Sequence, residues 1–336
     1  MSTITVVKLP HPRCTFTFIT DLHMSAVPPG RRGDDYQKAI LDKVRFVREL
    51  TQRIKAVGLC GGDVFHSKNP RAASNTLGLL VEAAKEFREF PYGCLWGAVG
   101  NHDLSADRLD SLTKQPLGLL IAAGVYRDLT YNPVIFSNNS GTVQVLVETF
   151  PYAHEGVLES IMAAAPRPAG VTHRVGIVHA YGQPGNEGSL FGERIIGYNE
   201  VAESDYDFLL WGHDHSRKET VTVGRPTHIH LGSLARAAFD TDQTDRPVAC
   251  AIISFAEDGI RYKEKEIPVT PLQVAFQTAD KGMDSVAKSE ELKQFLTGLE
   301  EQVDDIEATD PREILKTLCP VDEPELLSFV KELCEL

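Results

Sequence analysis

"AVGLCGGDVFHSKNPR", residues 56–71, begins as an apolar run of strand length and ends as something else. Two glycines interrupt it, Asp63 follows at once, and His66 stands three residues further on. The same script recurs along the chain. "CTFTFITDLH" (14–23) runs into Asp21 and His23, and "GCLWGAVGNHD" (93–103) runs into Asn101, His102 and Asp103. "HRVGIVHA" (173–180) runs into His179, and "YDFLLWGHDH" (206–215) runs into His213 and His215. Between these strands lie helical patterns. "DDYQKAILDKVRFVREL" (34–50) spaces Ile40, Val44 and Val47 along one face, and "SNTLGLLVEAAKEFREF" (74–90) forms the next. Alternating strands and helices predict an α/β layer fold. In such folds ligands gather just past the carboxyl ends of strands, which is where every one of these polar motifs falls.

The residue types at those ends share a chemistry. On an extended strand end, positions i and i+2 share a face, so Asp21 with His23, and His213 with His215, can each converge on one ion. The glycines before Asp63, Asn101 and His213 allow sharp turns and close approach. Any one motif also fits a blander role, since Asn and Asp cap helices and aspartates satisfy turns. Five in order, each at a strand end, point to a metal site. Carboxylate, amide and imidazole together suit Mn²⁺, Fe²⁺ or Zn²⁺ better than Ca²⁺. There are enough of them for two ions, which would clamp a phosphate and acidify a water between them.

In this order, DxH, GD, GNHD, H and GHxH, the chain resembles the calcineurin-like metallophosphoesterase superfamily over residues 16 to about 235. The resemblance implies a four-layer α/β/β/α sandwich around two divalent ions, with Mn²⁺ expected. It implies a first ion held by Asp21, His23, Asp63 and His215. The second would be held by Asp63, Asn101, His179 and His213, with Asp63 shared. His102 would stabilise the transition state or protonate the leaving oxygen, and Asp103 would orient its ring.

Many superfamily members carry an aspartate where this chain has His66. "GGDVFHSKNPR" (61–71) is instead similar to the Mre11/SbcD nucleases, where GDLFH precedes a basic, proline-containing loop. There the histidine contacts the phosphate being cleaved, and a donor at that place would aid phosphodiester cleavage. Lys68 and Arg71, with Arg31 and Arg32 of "PPGRRGDD" (28–35), are the candidate DNA-backbone contacts. The expectation is a metal-dependent DNA exo- or endonuclease of a divergent bacterial or phage branch. It would use a two-metal-activated hydroxide and work with a Rad50/SbcC-like ATPase. One rival is a metallophosphoesterase acting on a small phosphodiester or nucleotide. A second is a scaffold that keeps the ions for stability alone.

The charge is unevenly placed. The chain's −13 divides into −10 for Thr270–Leu336, with 16 acidic and 6 basic side chains, and −3 for the rest. The body is therefore near neutral and compatible with DNA. "VACAIISF" (248–255) and "IRYKEKEIPV" (260–269) complete the sandwich, giving a nuclease domain at 1–269 and an acidic helical tail at 270–336. In the tail Asp310, Pro311 and Glu313 start one helix, and Asp322 and Glu325 start another. Leu326, Phe329, Val330 and Leu333 form the apolar face of the latter, and Leu292, Phe295, Leu296 and Leu299 line a third segment. That tail is the expected docking element for the ATPase. The six cysteines show no zinc-finger or CxxC spacing and read as packing residues. No segment has the length or apolarity to span a bilayer, so the expected compartment is the cytoplasm, with no membrane partner. A homodimer is compatible with these features.

Overall fold

A computed structural model describes residues 4–30, 32–153, 156–185, 188–190, 192–237 and 246–276. Its strands are β1 (Thr5–Lys8), β2 (Cys14–Ile19), β3 (Val57–Cys60), β4 (Leu95–Gly97), β5 (Tyr126–Asp128), β6 (Val134–Ser137), β7 (Gln144–Phe150) and β8 (His173–His179). They continue with β9 (Gly182–Gln183), β10 (Gly188–Leu190), β11 (Glu193–Gly197), β12 (Phe208–Gly212), β13 (Val221–Thr222), β14 (Thr227–Ile229), β15 (Ala249–Ala256) and β16 (Gly259–Glu266). The principal helices are α1 (Tyr36–Arg53), α2 (Leu77–Arg88), α3 (Pro116–Ala122) and α4 (Val157–Met162).

Two sheets stack. One has the order β16-β15-β2-β3-β4-β5 and the other β1-β6-β7-β8-β12-β14-β13. The strands that lead into the polar motifs run parallel within each sheet, β2 to β3 to β4 in the first and β8 to β12 in the second. Their carboxyl ends therefore lie along one edge. Both faces of these strands are covered, which is why β3, β4 and β12 are buried throughout and read as continuous apolar runs.

Three cores separate four layers. Between the sheets lie Phe16, Phe18, Leu59, Phe136, Val147, Val175, Leu210 and Ile253. Outside the first sheet, Ile40, Val44 and Val47 of α1 and Leu79, Ala83 and Phe87 of α2 cover Ile19, Cys60 and Leu95. Outside the second, Val157 and Ile161 of α4 pack near Val178, Leu209 and Trp211. The expected α/β/β/α sandwich is present. Helix α1 starts where Asp35 accepts a hydrogen bond from the Lys38 amide at 3.0 Å. Its apolar positions at i, i+4 and i+7 face the sheet, as the spacing predicts.

The expected closing strands are present as β15 and β16, antiparallel at the edge of the first sheet. The first compact unit runs to Gln277, past the expected end at Val269. Ala275 and Phe276 are buried in it, with the Ala275 carbonyl accepting from the Gly33 amide. The second unit, Thr278–Leu336, and with it the three tail helices expected from sequence, lies outside the described residues. Cys14, Cys60, Cys94 and Cys250 are buried free thiols, as packing residues should be. Among the described residues no helix is long and apolar enough to cross a membrane.

Candidate metal centre

The motifs meet where the two sheets' carboxyl edges face each other. Asp21 and His23 come from the loop after β2, Asp63 from the loop after β3 and Asn101 from the turn after β4. His179 ends β8, while His213 and His215 follow β12. Asp21, His23, Asp63 and His215 each offer one ligand atom within 4.8 Å of the others, and so do Asp63, His179 and His213. Asn101 belongs with the second group, its Oδ1 lying 3.2 Å from His179 Nε2 and 3.0 Å from His213 Nδ1. Asp63 belongs to both. Its Oδ2 lies 3.6 Å from His23 Nε2, and its Oδ1 lies 3.5 Å from His179 Nε2.

The backbone is bent to make this possible. Asp21, His23, Asp63 and His213 all have positive φ, at 52°, 43°, 50° and 86°, a conformation that costs about 1–3 kcal/mol for a non-glycine residue. Gly100 serves by close approach. A Cβ there would lie 2.1 Å from Asp63 Oδ1 and 2.6 Å from His179 Cε1. Gly100→Ala should therefore push the two ligands apart, lowering the melting temperature by about 2–10 °C and weakening binding of the second ion. Calorimetric titration with Mn²⁺ and a thermal melt check this, and wild-type values for both would contradict the packing argument.

The donor set suits cations. His179 Nδ1 faces the Gly61 carbonyl at 2.7 Å, an acceptor only, so Nδ1 holds the proton. Its neutral ring then presents a lone pair from Nε2 to Asn101 Oδ1 and Asp63 Oδ1. Lone pairs packed against lone pairs repel unless positive charge sits among them. Among the described residues, no lysine or arginine makes a hydrogen bond to the Asp21 or Asp63 carboxylate. Asp21 accepts from Thr20 and the His213 amide, and Asp63 accepts from the His102 amide. The protonation states show the same demand. Burial pushes Asp21 up to about 7. Burial alone would lower His179, but Asp63 and Asp21 outweigh it and raise it to about 9, so that without an ion Nε2 takes up a proton at the place where a cation would sit. Burial lowers His213 and His215 to about 4, leaving both rings neutral as ligands must be.

Two further histidine rings, His66 and His102, border the first group beside its own His23. His66 lies 5.7 Å from His23 and 5.9 Å from His102, ring centre to ring centre, and His23 lies 4.6 Å from His102. One ring nitrogen of each lies within 4.8 Å of the other two. The expected contact between Asp103 and the His102 ring is not made. His102 Nδ1 instead faces the His66 carbonyl at 2.6 Å. Asp103 accepts from the Val64 and Gly100 amides at 3.1 and 3.0 Å, tying the loop after β3 to the turn after β4. The reason is local: the two are neighbours in the tight turn Asn101–Asp103, so their side chains diverge.

The basic candidates divide. Lys68 and Arg71 are exposed on the loop after His66. Arg32 is not available for a nucleic acid. It is 7 % exposed, bonded to Asp34 at 2.6 and 2.8 Å and to the Arg236 carbonyl, and its guanidinium lies over Tyr36 and Phe276. Arg31 lies outside the described residues. Sequence reasoning missed Glu193, whose Oε2 lies 3.0 Å from His213 Nε2. It also missed Tyr152 and Tyr181, whose rings flank His213 at 5.3 and 4.2 Å. None of the three belongs to a motif.

The model of the calcineurin-like phosphoesterase family matches residues 14–217, more than half of the chain. Among solved structures, the 5'-nucleotidase precursor from Thermus thermophilus is 13 % identical, with a TM-score of 0.42 over 86 % of this chain. The chain spans 60 % of that protein's length. The calcineurin-like phosphoesterase YfkN from Bacillus subtilis is 12 % identical, with a TM-score of 0.43, covering 84 % of this chain and 98 % of its own. A search of curated proteins finds no match. The chain belongs to the calcineurin-like phosphoesterase family.

Proposed function

We propose that this calcineurin-like phosphoesterase is a metal-dependent DNA phosphodiesterase of the Mre11/SbcD type. The observation that carries the reading is the ring of His66 set against His23 and His102 at the border of the ligand cluster, on a loop whose next cations, Lys68 and Arg71, are exposed. Two divalent ions bound by the seven ligands, Mn²⁺ by preference, would supply the charge that draws in a phosphate and acidifies a water.

The protein's own groups do the rest. Burial and the neighbouring His102 lower His66, so its ring is neutral and donates from one nitrogen. Its Nδ1 is buried without a hydrogen-bond partner, so a proton there would be stranded. Nε2 is then the donor, suited to a non-bridging phosphate oxygen. His102 has Nδ1 committed to a carbonyl, so Nε2 is its substrate-facing atom. From there it would hydrogen-bond the leaving oxygen. Lys68 and Arg71 would hold the DNA backbone without reading sequence.

Incubation with Mn²⁺ and end-labelled single- and double-stranded DNA, beside bis-p-nitrophenyl phosphate, tests this. Cleavage of the labelled DNA is expected. Strong turnover of the small diester with none of DNA would favour the second reading, a phosphoesterase for small diesters or nucleotides. That reading draws on a cavity of about 350 Å³ lined by Tyr152, Tyr181, Glu193 and Arg194, large enough for a small organic group.

The acidic segment after the first unit is assigned to docking on a Rad50/SbcC-like ATPase. Its excess of acidic side chains would repel DNA, so it suits a protein partner better than the substrate. Truncation after Gln277 should leave a folded protein with undiminished ion binding that no longer co-purifies with the ATPase. Insolubility of the truncated protein would instead make the segment part of the core.

A further inference from the structure

Glu193 stands on β11, a strand of the small sheet β10-β11-β9 that belongs to neither layer of the sandwich. Its carboxylate reaches back to the sandwich, with Oε2 3.0 Å from His213 Nε2. A carboxylate at that distance accepts, so the His213 proton resides on Nε2. Nδ1 is then left as a lone pair facing Asn101 Oδ1 at 3.0 Å, inside the second ligand group.

His179 is fixed in the same sense by a different device, the Gly61 carbonyl at its Nδ1. The two imidazoles of the second group thus each have the outward nitrogen held as N–H, one by backbone and one by Glu193, so the inward nitrogen is the one left for a cation. His213 needs the help, because its backbone is left-handed at φ 86° and its aromatic neighbours Tyr152 and Tyr181 fix the ring's position without choosing its tautomer. Glu193 itself falls outside the groups whose atoms converge on an ion.

We propose that Glu193 is a positioning residue for the second ion: it holds the His213 ring with its proton on Nε2 so that Nδ1 is presented to the cation. The role rests on the reading of this cluster as a metal centre. Partners of this kind typically change metal affinity by about 10–100-fold when removed. They also raise the basicity of the ligating nitrogen.

Two readouts test it on the full chain. The first is the nitrogen-15 signature of His213 in demetallated protein, which reports the tautomer with no ion needed. The second is calorimetric titration with Mn²⁺ alone. Wild type should show the Nε2-protonated ring and two bound ions. Glu193→Ala should show a mixture of tautomers and a loss of about tenfold or more in affinity for one ion only. Glu193→Gln keeps an oxygen that can accept from Nε2, so it should restore the tautomer and most of the affinity. Unchanged tautomer and affinity in Glu193→Ala, beside a wild type that binds two ions, would overturn the role of Glu193 alone. A wild type that binds no second ion overturns the centre and this role with it. An equal affinity loss in Glu193→Gln and Glu193→Ala would show that the negative charge matters rather than the held tautomer, and would overturn the proposal as stated.

Discussion

Asp63→Ala should bind neither ion tightly and should cleave nothing above background. Its two oxygens face opposite ways, Oδ2 toward His23 in one ligand group and Oδ1 toward His179 in the other. Removing the side chain therefore takes a ligand from each group at once. His213→Ala takes a ligand from the second group only, and should retain one ion. Elemental analysis after dialysis against Mn²⁺ distinguishes the two variants, and equal loss of a single ion in both would sink the shared role of Asp63.

A thermal readout sharpens the comparison. An ion that binds only the folded state at about 100 times its Kd stabilises by about 2.7 kcal/mol. For a domain of this size that should raise the wild-type melting temperature by several degrees. Asp63→Ala should show almost no such rise. Loss of the His102 amide's acceptor at 2.8 Å would also slacken the turn after β4, so its starting stability should be lower as well.

The contrast between Asp63 and Glu193 shows what a sequence can carry. Asp63 was legible because its surroundings are local: a buried strand, two glycines and a sharp turn, all within seven residues. The same holds for Asp21, Asn101, His179, His213 and His215. Parallel strands bring such ends to one edge, so reading the strands also reads the site. Glu193 had no such signal. It meets His213 from 20 positions away, on a small sheet built from strands of two, three and five residues.

Arg32 failed for the opposite reason. "GRRGDD" reads locally as an exposed basic loop, yet Asp34 neutralises the guanidinium and two aromatic rings cover it. One of those rings belongs to Phe276, 244 positions away along the chain, which no local pattern discloses. Asp103 likewise sits at a readable place in GNHD, but only the turn's geometry decides that it holds amides rather than a ring. In the fold, the short strands β1, β5, β6, β9, β10, β11 and β13 were missed. Thr5–Lys8 is an edge strand with mostly exposed side chains and lacks the apolar run that marked the others.

His66→Ala should retain both ions and lose about 10²–10³-fold in the rate of DNA cleavage, the loss typical of removing one transition-state donor. The variant is clean for a structural reason. His66 contributes its backbone to the site as well as its ring: its amide donates to the Met24 carbonyl at 3.0 Å, and its own carbonyl holds His102 Nδ1 at 2.6 Å. Alanine keeps both contacts, so His102 should stay in place and only the ring is lost. That separates a phosphate donor from a ligand. His23, His66 and His102 lie close enough to hold an ion among themselves, and a ligand role for His66 would show as a lost or weakened ion. A donor role leaves stoichiometry and affinity untouched and appears in the rate alone. A rate equal to wild type would make the ring a packing group. The comparison should be made at saturating Mn²⁺, with metal content measured on the same preparation, so that a weakened ion is never mistaken for a slowed reaction.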